Sequence, residues 1–327
     1  MAILSQRVFM ILVICCCATF AECMTMKYKD PTQPLRIRIN DLMLRMTLEE
    51  KIGQMTQIDK SAATPDVMKN YFIGSLLSGG GIDMVNEFQK GSLSTRLAIP
   101  MMHGNDDVNG NSNAFGATIF SQNLALEEPR DPELAMKKIG APYHDVIRKG
   151  IATIKVSYAS WNGVKKHQNK ELVTGLLKNK LTFKGFVISD FMGIDMITGP
   201  AHADYTYLIE QRVGAGIDMI MVGNNYKEFM DGLTTLVKKK VIPIRRINDA
   251  VRRILRVKFI LGLFENRLNT DLSNAENLGE QVERQNQQDM AMQAMCIDQS
   301  MIPLRKRTAR ILAAPTHADN NGNQCGR

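Results

Sequence analysis

The sequence predicts an α/β fold built on a parallel sheet, and three observations predict it. Short apolar runs, rich in β-branched residues, alternate with longer stretches whose apolar positions recur at helical period. Each short run is apolar on both faces, as a strand covered by helices on either side must be. Several of these runs lead into loops dense in Asp, Asn, Ser and Gly, and the carboxyl ends of strands are where α/β folds place their chemistry. At 327 residues, 44% of them hydrophobic, the chain can bury a large core in one big domain or two smaller ones.

The first element is a leader. Arg7 precedes an apolar run over residues 8–20, and small residues at Ala18, Ala21 and Cys23 allow cleavage just afterwards. This pattern predicts a signal peptide over residues 1–23, a mature chain beginning near Met24 to Lys27, and secretion. The run is shorter than the roughly 20 residues of a spanning helix, so no membrane association is expected of the mature form. Cys15, Cys16, Cys17 and Cys23 crowd this leader, which leaves Cys296 and Cys325. Whether those two pair is left open, and no CxxC or Cys/His spacing suggests zinc.

Residues 34–58 then read as helices, with Thr47 and Glu50 spaced as a capping box at the start of the second. Residues 71–81 predict a strand running into a glycine-rich loop that matches neither phosphate-binding pattern, GxGxxG or GxxxxGK. Residues 97–111 predict a strand and a loop holding His103, Asp106 and Asp107, where turn chemistry is favoured over a metal site. "RDPELAMKKIG" is a helix with Pro132 near its start. Residues 150–165 predict one strand followed by a polar turn carrying Trp161, the only tryptophan, which can pack or stack on a sugar ring. "KELVTGLLKNKL" is a helix that leads to the central stretch.

That stretch is "KGFVISDFMGID", residues 184–195. Phe186, Val187 and Ile188 are too few for a helix and predict a buried strand. Ser189 and Asp190 end it, and Met192 and Gly193 turn the chain. Asp190 is therefore a carboxylate at the carboxyl end of a core strand, or an N-cap of the next helix, and spacing alone does not separate the two. A helix around residues 207–214, a strand over 216–223 and a helix near 227–240 follow. Next comes a helix with Ile247, Val251, Ile254, Leu255 and Phe259 in one stripe, and Arg246, Arg252, Arg253 and Arg256 on a solvated basic face. It ends at residues 262–264. Residues 267–299 are polar with a helical pattern, and "ARILAAPTHADNNGNQCG" opens a second α/β unit. The +8 charge lacks interleaved aromatics or a nucleic-acid motif, so no nucleic-acid partner is expected, although acidic polysaccharide fits the same charge.

Several blocks together resemble a known family. "RINDLMLRMTLEEKIGQMTQI", "STRLAIPMMHGNDDVNGNSNAFGATIF", "VSYASWNGVKKHQNKELVTGLLKNKLTFKGFVISDF", "GAGIDMIMVG" and "VIPIRRINDAVRRILRVKFILGLFEN" are similar to the plant secreted β-D-glucosidases and β-D-glucan exohydrolases of glycoside hydrolase family 3. The resemblance implies a (β/α)8 barrel of the TIM kind over residues 27–266. It further implies a linker over 267–308, and the beginning of a C-terminal α/β sandwich domain over 309–327. It implies retaining hydrolysis of β-glucosides or β-glucan oligosaccharides outside the cell, with no cofactor. The "VISD" motif makes Asp190 the nucleophile. Asp106 falls where a loop aspartate binds sugar hydroxyls, Tyr158 where a tyrosine lines the glucose pocket, and Phe191 where an aromatic clamp, usually tryptophan, follows the nucleophile.

The departures carry expectations too. Asn109 stands where the family loop has histidine. A segment bearing an arginine and a Lys-His pair that hold the sugar is missing near residues 140–142, and a second region is shortened near Met301. The acid/base glutamate matches no residue of this sequence. A reduced or gapped barrel is expected, and the second function class is a non-catalytic remnant or a weak carbohydrate-binding protein. The oligomeric state is left open.

Overall fold

The computed structural model describes residues 26–77, 82–104, 146–193, 195, 200 and 202–268. The leader, the glycine loop 78–81, Asp106, Asp107, Asn109, the helix expected around Pro132, Cys296, Cys325 and residues 309–327 lie outside them. Packing divides the chain into two units. The first comprises Met1–Leu76, Val85–Met102 and Ala152–Leu268. The second comprises Leu77–Met84, His103–Ile151 and Asn269–Arg327, and is described only in short pieces.

The first unit has the predicted α/β character. Strands β1 (Thr56–Asp59), β2 (Ser75–Leu77), β3 (Met102–Gly104) and β8 (Ile220–Gly223) form a sheet in the order β3-β2-β1-β8. Strands β4 (Thr153–Lys155) and β7 (Phe186–Ile188) pair in parallel, Thr153 opposite Phe186 and Lys155 opposite Ile188. β1 and β8 are also parallel, Thr56 opposite Ile220. A parallel bridge between Ile188 and Met219 joins β7 to the start of β8. The described strands thus pair in an unclosed order. The sequence predicts a barrel, and a closed ring is not formed among these residues.

Local chemistry sets the helices. Thr47 Oγ1 accepts the Glu50 N–H at 3.2 Å while Glu50 Oε2 accepts the Thr47 N–H at 2.8 Å, so the helix Leu48–Gln54 begins at the predicted capping box. Asp204 caps the helix Tyr205–Ala215, which ends at Gly216 with φ +114°, a left-handed conformation that glycine adopts without strain. The helix Ile244–Ile260 starts behind Pro243 and buries Ile247, Val251, Ile254 and Leu255. Full burial of each such side chain stabilises the fold by about 1.5–3 kcal/mol. Among the described residues no helix is long and apolar enough to cross a membrane.

Several expectations change. The stretch 34–58, read as helical throughout, gives way to strand β1 from Thr56. Residues 150–165 are not one strand: β4 is followed by a separate antiparallel hairpin of β5 (Ser160–Trp161) and β6 (Val164–Lys165). Asn162 and Gly163 turn it with φ +48° and +78°, the Asn-Gly signature of a two-residue hairpin, and Trp161 stays exposed. The "KELVTGLLKNKL" helix is a π-helix, Glu171–Lys180, whose exit turn is closed by Leu181 N–H on Leu176 C=O at 2.8 Å. The basic face of the helix Ile244–Ile260 is only partly solvated. Arg246 binds Asp218 and Asp249, Arg253 donates to the Phe183 and Gly185 carbonyls, and Lys258 is fully buried. A 3.6 period locates apolar stripes and says nothing of which cations turn back into the protein.

Lys258 Nζ donates to Gln54 Oε1 at 2.6 Å and to the Pro100 carbonyl at 2.7 Å, and neither acceptor carries a charge. Burial pushes its pKa down from 10.5 to about 7. Between those values the unfolded chain holds a proton that the folded chain lacks, so folding stability rises with pH through this window. Burial also lowers Lys178, to about 8, in the same sense. Urea titrations at pH 7 and pH 9 should show higher stability at pH 9, with a smaller gain in Lys258→Met. An equal gain in that variant would remove Lys258 as the cause.

Candidate active site

The site begins with what holds β7 in place. Gly185 enters the strand against β4 so closely that a Cβ would lie 2.1 Å from the Ala152 carbonyl, which only glycine permits. Asp218, with no exposed surface, then fixes the strand itself. Its Oδ2 accepts the Val187 N–H at 2.9 Å, while Oδ1 receives Lys178 Nζ at 2.6 Å and the Arg246 guanidinium. A buried carboxylate with backbone and cationic donors is a rigid anchor, because any lost partner leaves charge uncompensated.

Asp190 follows directly at the carboxyl end of β7 and is about nine-tenths buried. Its Oδ1 accepts the Phe191 N–H at 2.9 Å and lies 3.2 Å from Lys155 Nζ. Its own N–H donates to His167 Nε2 at 3.1 Å. Ser189 Oγ accepts the Met221 N–H at 2.8 Å and donates to the Asp190 carbonyl at 3.1 Å, tying the strand end to β8. The chain then turns through Met192, at φ +44°, a conformation uncommon for a residue with a side chain, and Gly193 N–H returns to the Asp190 carbonyl at 3.0 Å. Asp190 Oδ1 accepts from the very next residue, and among the described residues the next α-helix begins at Tyr205 behind Asp204.

The expected partners gather around this turn. Tyr158 OH donates to the Phe191 carbonyl, and its ring lies 6.1 Å from that of His167. The Phe191 ring borders Gly223, where a Cβ would sit 3.4 Å from Cε2. Asp190, Tyr158 and Phe191 are thus brought together, whereas Asp106 lies outside the described residues. Among the described residues no group of three or more His, Cys, Asp or Glu is placed to hold a metal ion.

Three neighbours escaped the sequence reading. Lys155 sits on β4 beside the nucleophile candidate, and only the β4–β7 register reveals it. His167 is buried in a short 3-10 turn, where burial, then Arg212 and Lys165, pushes its pKa down to about 3 and keeps the ring neutral. Arg212 is fully buried, and no nitrogen of its guanidinium has a hydrogen-bond partner among the described residues. Burial lowers its pKa to about 9, against the opposing field of Asp195, Tyr205 and Tyr158. Beyond the turn, His202 Nδ1 is 2.6 Å from Asp195 Oδ1, its Nε2 is 3.2 Å from Glu228, and its ring stacks on Tyr205 at 4.4 Å. The Asp195 hydrogen bond is the main cause that raises the His202 pKa.

The profile of the glycosyl hydrolase family 3 N terminal domain matches residues 47–141 and 134–257, more than half of the chain. The chain belongs to glycosyl hydrolase family 3. Within the family it is 31% identical over 187 residues to a protein of Formosa agariphila named "Putative beta-xylosidase", covering 52% of this chain and 24% of that protein. It is 24% identical over 430 aligned positions to the lysosomal beta glucosidase of Dictyostelium discoideum, covering 88% of this chain and 52% of the relative. The chain thus spans about a quarter to a half of the length of these curated relatives. Its fold matches the crystal structure of a Q683A mutant of the exo-1,3/1,4-beta-glucanase ExoP from a Pseudoalteromonas species, with a TM-score of 0.66 and 23% identity over 83% of this chain and 63% of that one.

The buried guanidinium of Arg212, which has no hydrogen-bond partner among the described residues, has a measurable consequence. Burying a charge costs several kcal/mol per ion, a penalty that an apolar side chain of similar length does not carry. Arg212→Met should therefore raise the thermal midpoint. A fall in the midpoint would show that the guanidinium has a partner in solution.

Proposed function

We propose that this chain is a retaining β-glucosidase-type hydrolase with Asp190 as its nucleophile. The observation that carries the reading is the placing of Asp190 at the carboxyl end of β7, within the residues matched to the family's N-terminal domain. The Phe191 N–H and Lys155 both engage Oδ1, which leaves Oδ2 to attack the anomeric carbon of a β-glucoside. Attack forms an ester between Asp190 and the sugar as the bond to the aglycone breaks. Water then cleaves the ester and glucose leaves with its β configuration retained.

Tyr158, Phe191 and Asp106 are proposed to surround the sugar, Phe191 offering an aromatic face to its ring. The resemblance supports these roles, and for Tyr158 and Phe191 so does their nearness to Asp190. The described strands are proposed as part of a (β/α)8 barrel from which the chain lacks an internal segment. In support, the family match falls in two stretches that meet at 134–141, and the Dictyostelium alignment runs over 430 positions against a chain of 327. Secretion through the leader over residues 1–23 belongs to the same reading.

A 2-deoxy-2-fluoro β-glucoside with a dinitrophenyl leaving group tests the role of Asp190. That leaving group departs without a proton, so the experiment isolates the attack, and the fluorine slows hydrolysis of the ester. Mass spectrometry should find the fluoroglucosyl adduct on the peptide containing Asp190, and none in Asp190→Asn. No adduct under conditions that label a full-length relative would favour the non-catalytic reading, and an adduct elsewhere would move the nucleophile.

A further inference from the structure

We propose that His167 and Tyr158 form a clamp that positions Asp190, one holding the backbone before the carboxylate and the other the backbone after it. The inference rests on Asp190 being the nucleophile. His167 Nε2 accepts the Asp190 N–H at 3.1 Å, and Tyr158 OH donates to the Phe191 carbonyl. The two bonds grip the 190–191 segment at its first N–H and its last C=O. Both gripping residues come from one local unit, β5–β6 with the two residues before it and the turn Lys166–Gln168 after it, which is closed on itself by Lys166 N–H on the Ala159 carbonyl at 3.0 Å.

The ring of His167 also shapes the return of the loop. A Cβ on Gly193 would lie 2.8 Å from His167 Nε2 and 3.0 Å from the Asp190 carbonyl, so the turn closes against the imidazole with no room for a side chain. An imidazole that accepts through Nε2 carries its proton on Nδ1 and is neutral. The surroundings enforce that state: the ring is buried, with Arg212 on the helix Tyr205–Ala215 and Lys165 on β6 both opposing a charge on it. A buried histidine that must stay neutral and accept from the nucleophile's own amide is suited to fixing geometry and not to exchanging protons with substrate. The two bonds of the clamp are both made to main-chain groups, so its action on the reaction runs through the backbone.

The test compares His167→Leu, which removes the acceptor, with His167→Gln, whose side-chain carbonyl can replace it, and with Tyr158→Phe, which deletes one hydroxyl. Hydrogen exchange at the Asp190 amide is the first readout, since it needs no activity. Exchange should quicken at least about tenfold in His167→Leu, the loss of one modest hydrogen bond, and stay near wild type in His167→Gln. Labelling by the fluoroglucoside is the second readout. Misplacing a reacting group by about 1 Å costs on the order of 100-fold, so the maximal labelling rate should fall by that order in His167→Leu. A smaller fall of the same kind is expected in Tyr158→Phe, with the half-saturating concentration little changed in both and the rate recovered in His167→Gln.

Unchanged exchange in a folded His167→Leu overturns the clamp, as does a loss confined to half-saturation. Should His167→Leu fail to fold, Tyr158→Phe decides through the labelling rate. Should wild type not be labelled, the reading of Asp190 as nucleophile fails, while the exchange measurement still tests the clamp.

Discussion

The buried carboxylate of Asp218 is the constraint on which the rest depends. It joins the π-helix through Lys178, the central strand through the Val187 amide, and the helix Ile244–Ile260 through Arg246. It has no exposed surface, and stripping one partner from a buried ion pair costs about 3–5 kcal/mol. β7 is consequently held at its middle by electrostatics and at its start by the close fit of Gly185 to β4. Its far end, where Asp190 sits, inherits that rigidity.

From this anchor the site follows by short steps. Ser189 ties the strand end to β8, the Phe191 amide and Lys155 fix one carboxylate oxygen, and the turn through Met192 and Gly193 packs on His167. Rigid backbone beneath the reacting group is what catalysis by orientation requires. The surrounding charges are unevenly satisfied. Asp195 and Glu228 engage His202, while Arg212 lies buried close by without a hydrogen-bond partner among the described residues.

Much of this was legible in the sequence. The β-branched run at Phe186–Ile188 showed its strand because three consecutive apolar residues between turn formers admit little else. Thr47 and Glu50 announced their helix because a capping box is a local device, complete within four residues. The hairpin at Asn162-Gly163 was hidden by its length: two residues per strand are too few to alternate, although the Asn-Gly pair was a signal. Lys155 and His167 were invisible for another reason. Their partner, Asp190, is distant in sequence, and only the β4–β7 register and the folding back of the hairpin bring them to it. Lys258 looked like one more cation on a basic face, since helical period fixes direction and not depth.

The claim at the centre is that Asp190 forms the bond to the sugar, and replacing it by glycine while supplying an outside nucleophile tests this most directly. In Asp190→Gly, azide can enter the space left by the carboxylate and attack an aryl β-glucoside from the face that Asp190 would have used. The account predicts that azide restores turnover to the variant and that the product is α-glucosyl azide, its configuration inverted. Turnover of the variant equal to wild type without azide, or a β-configured azide product, would contradict it.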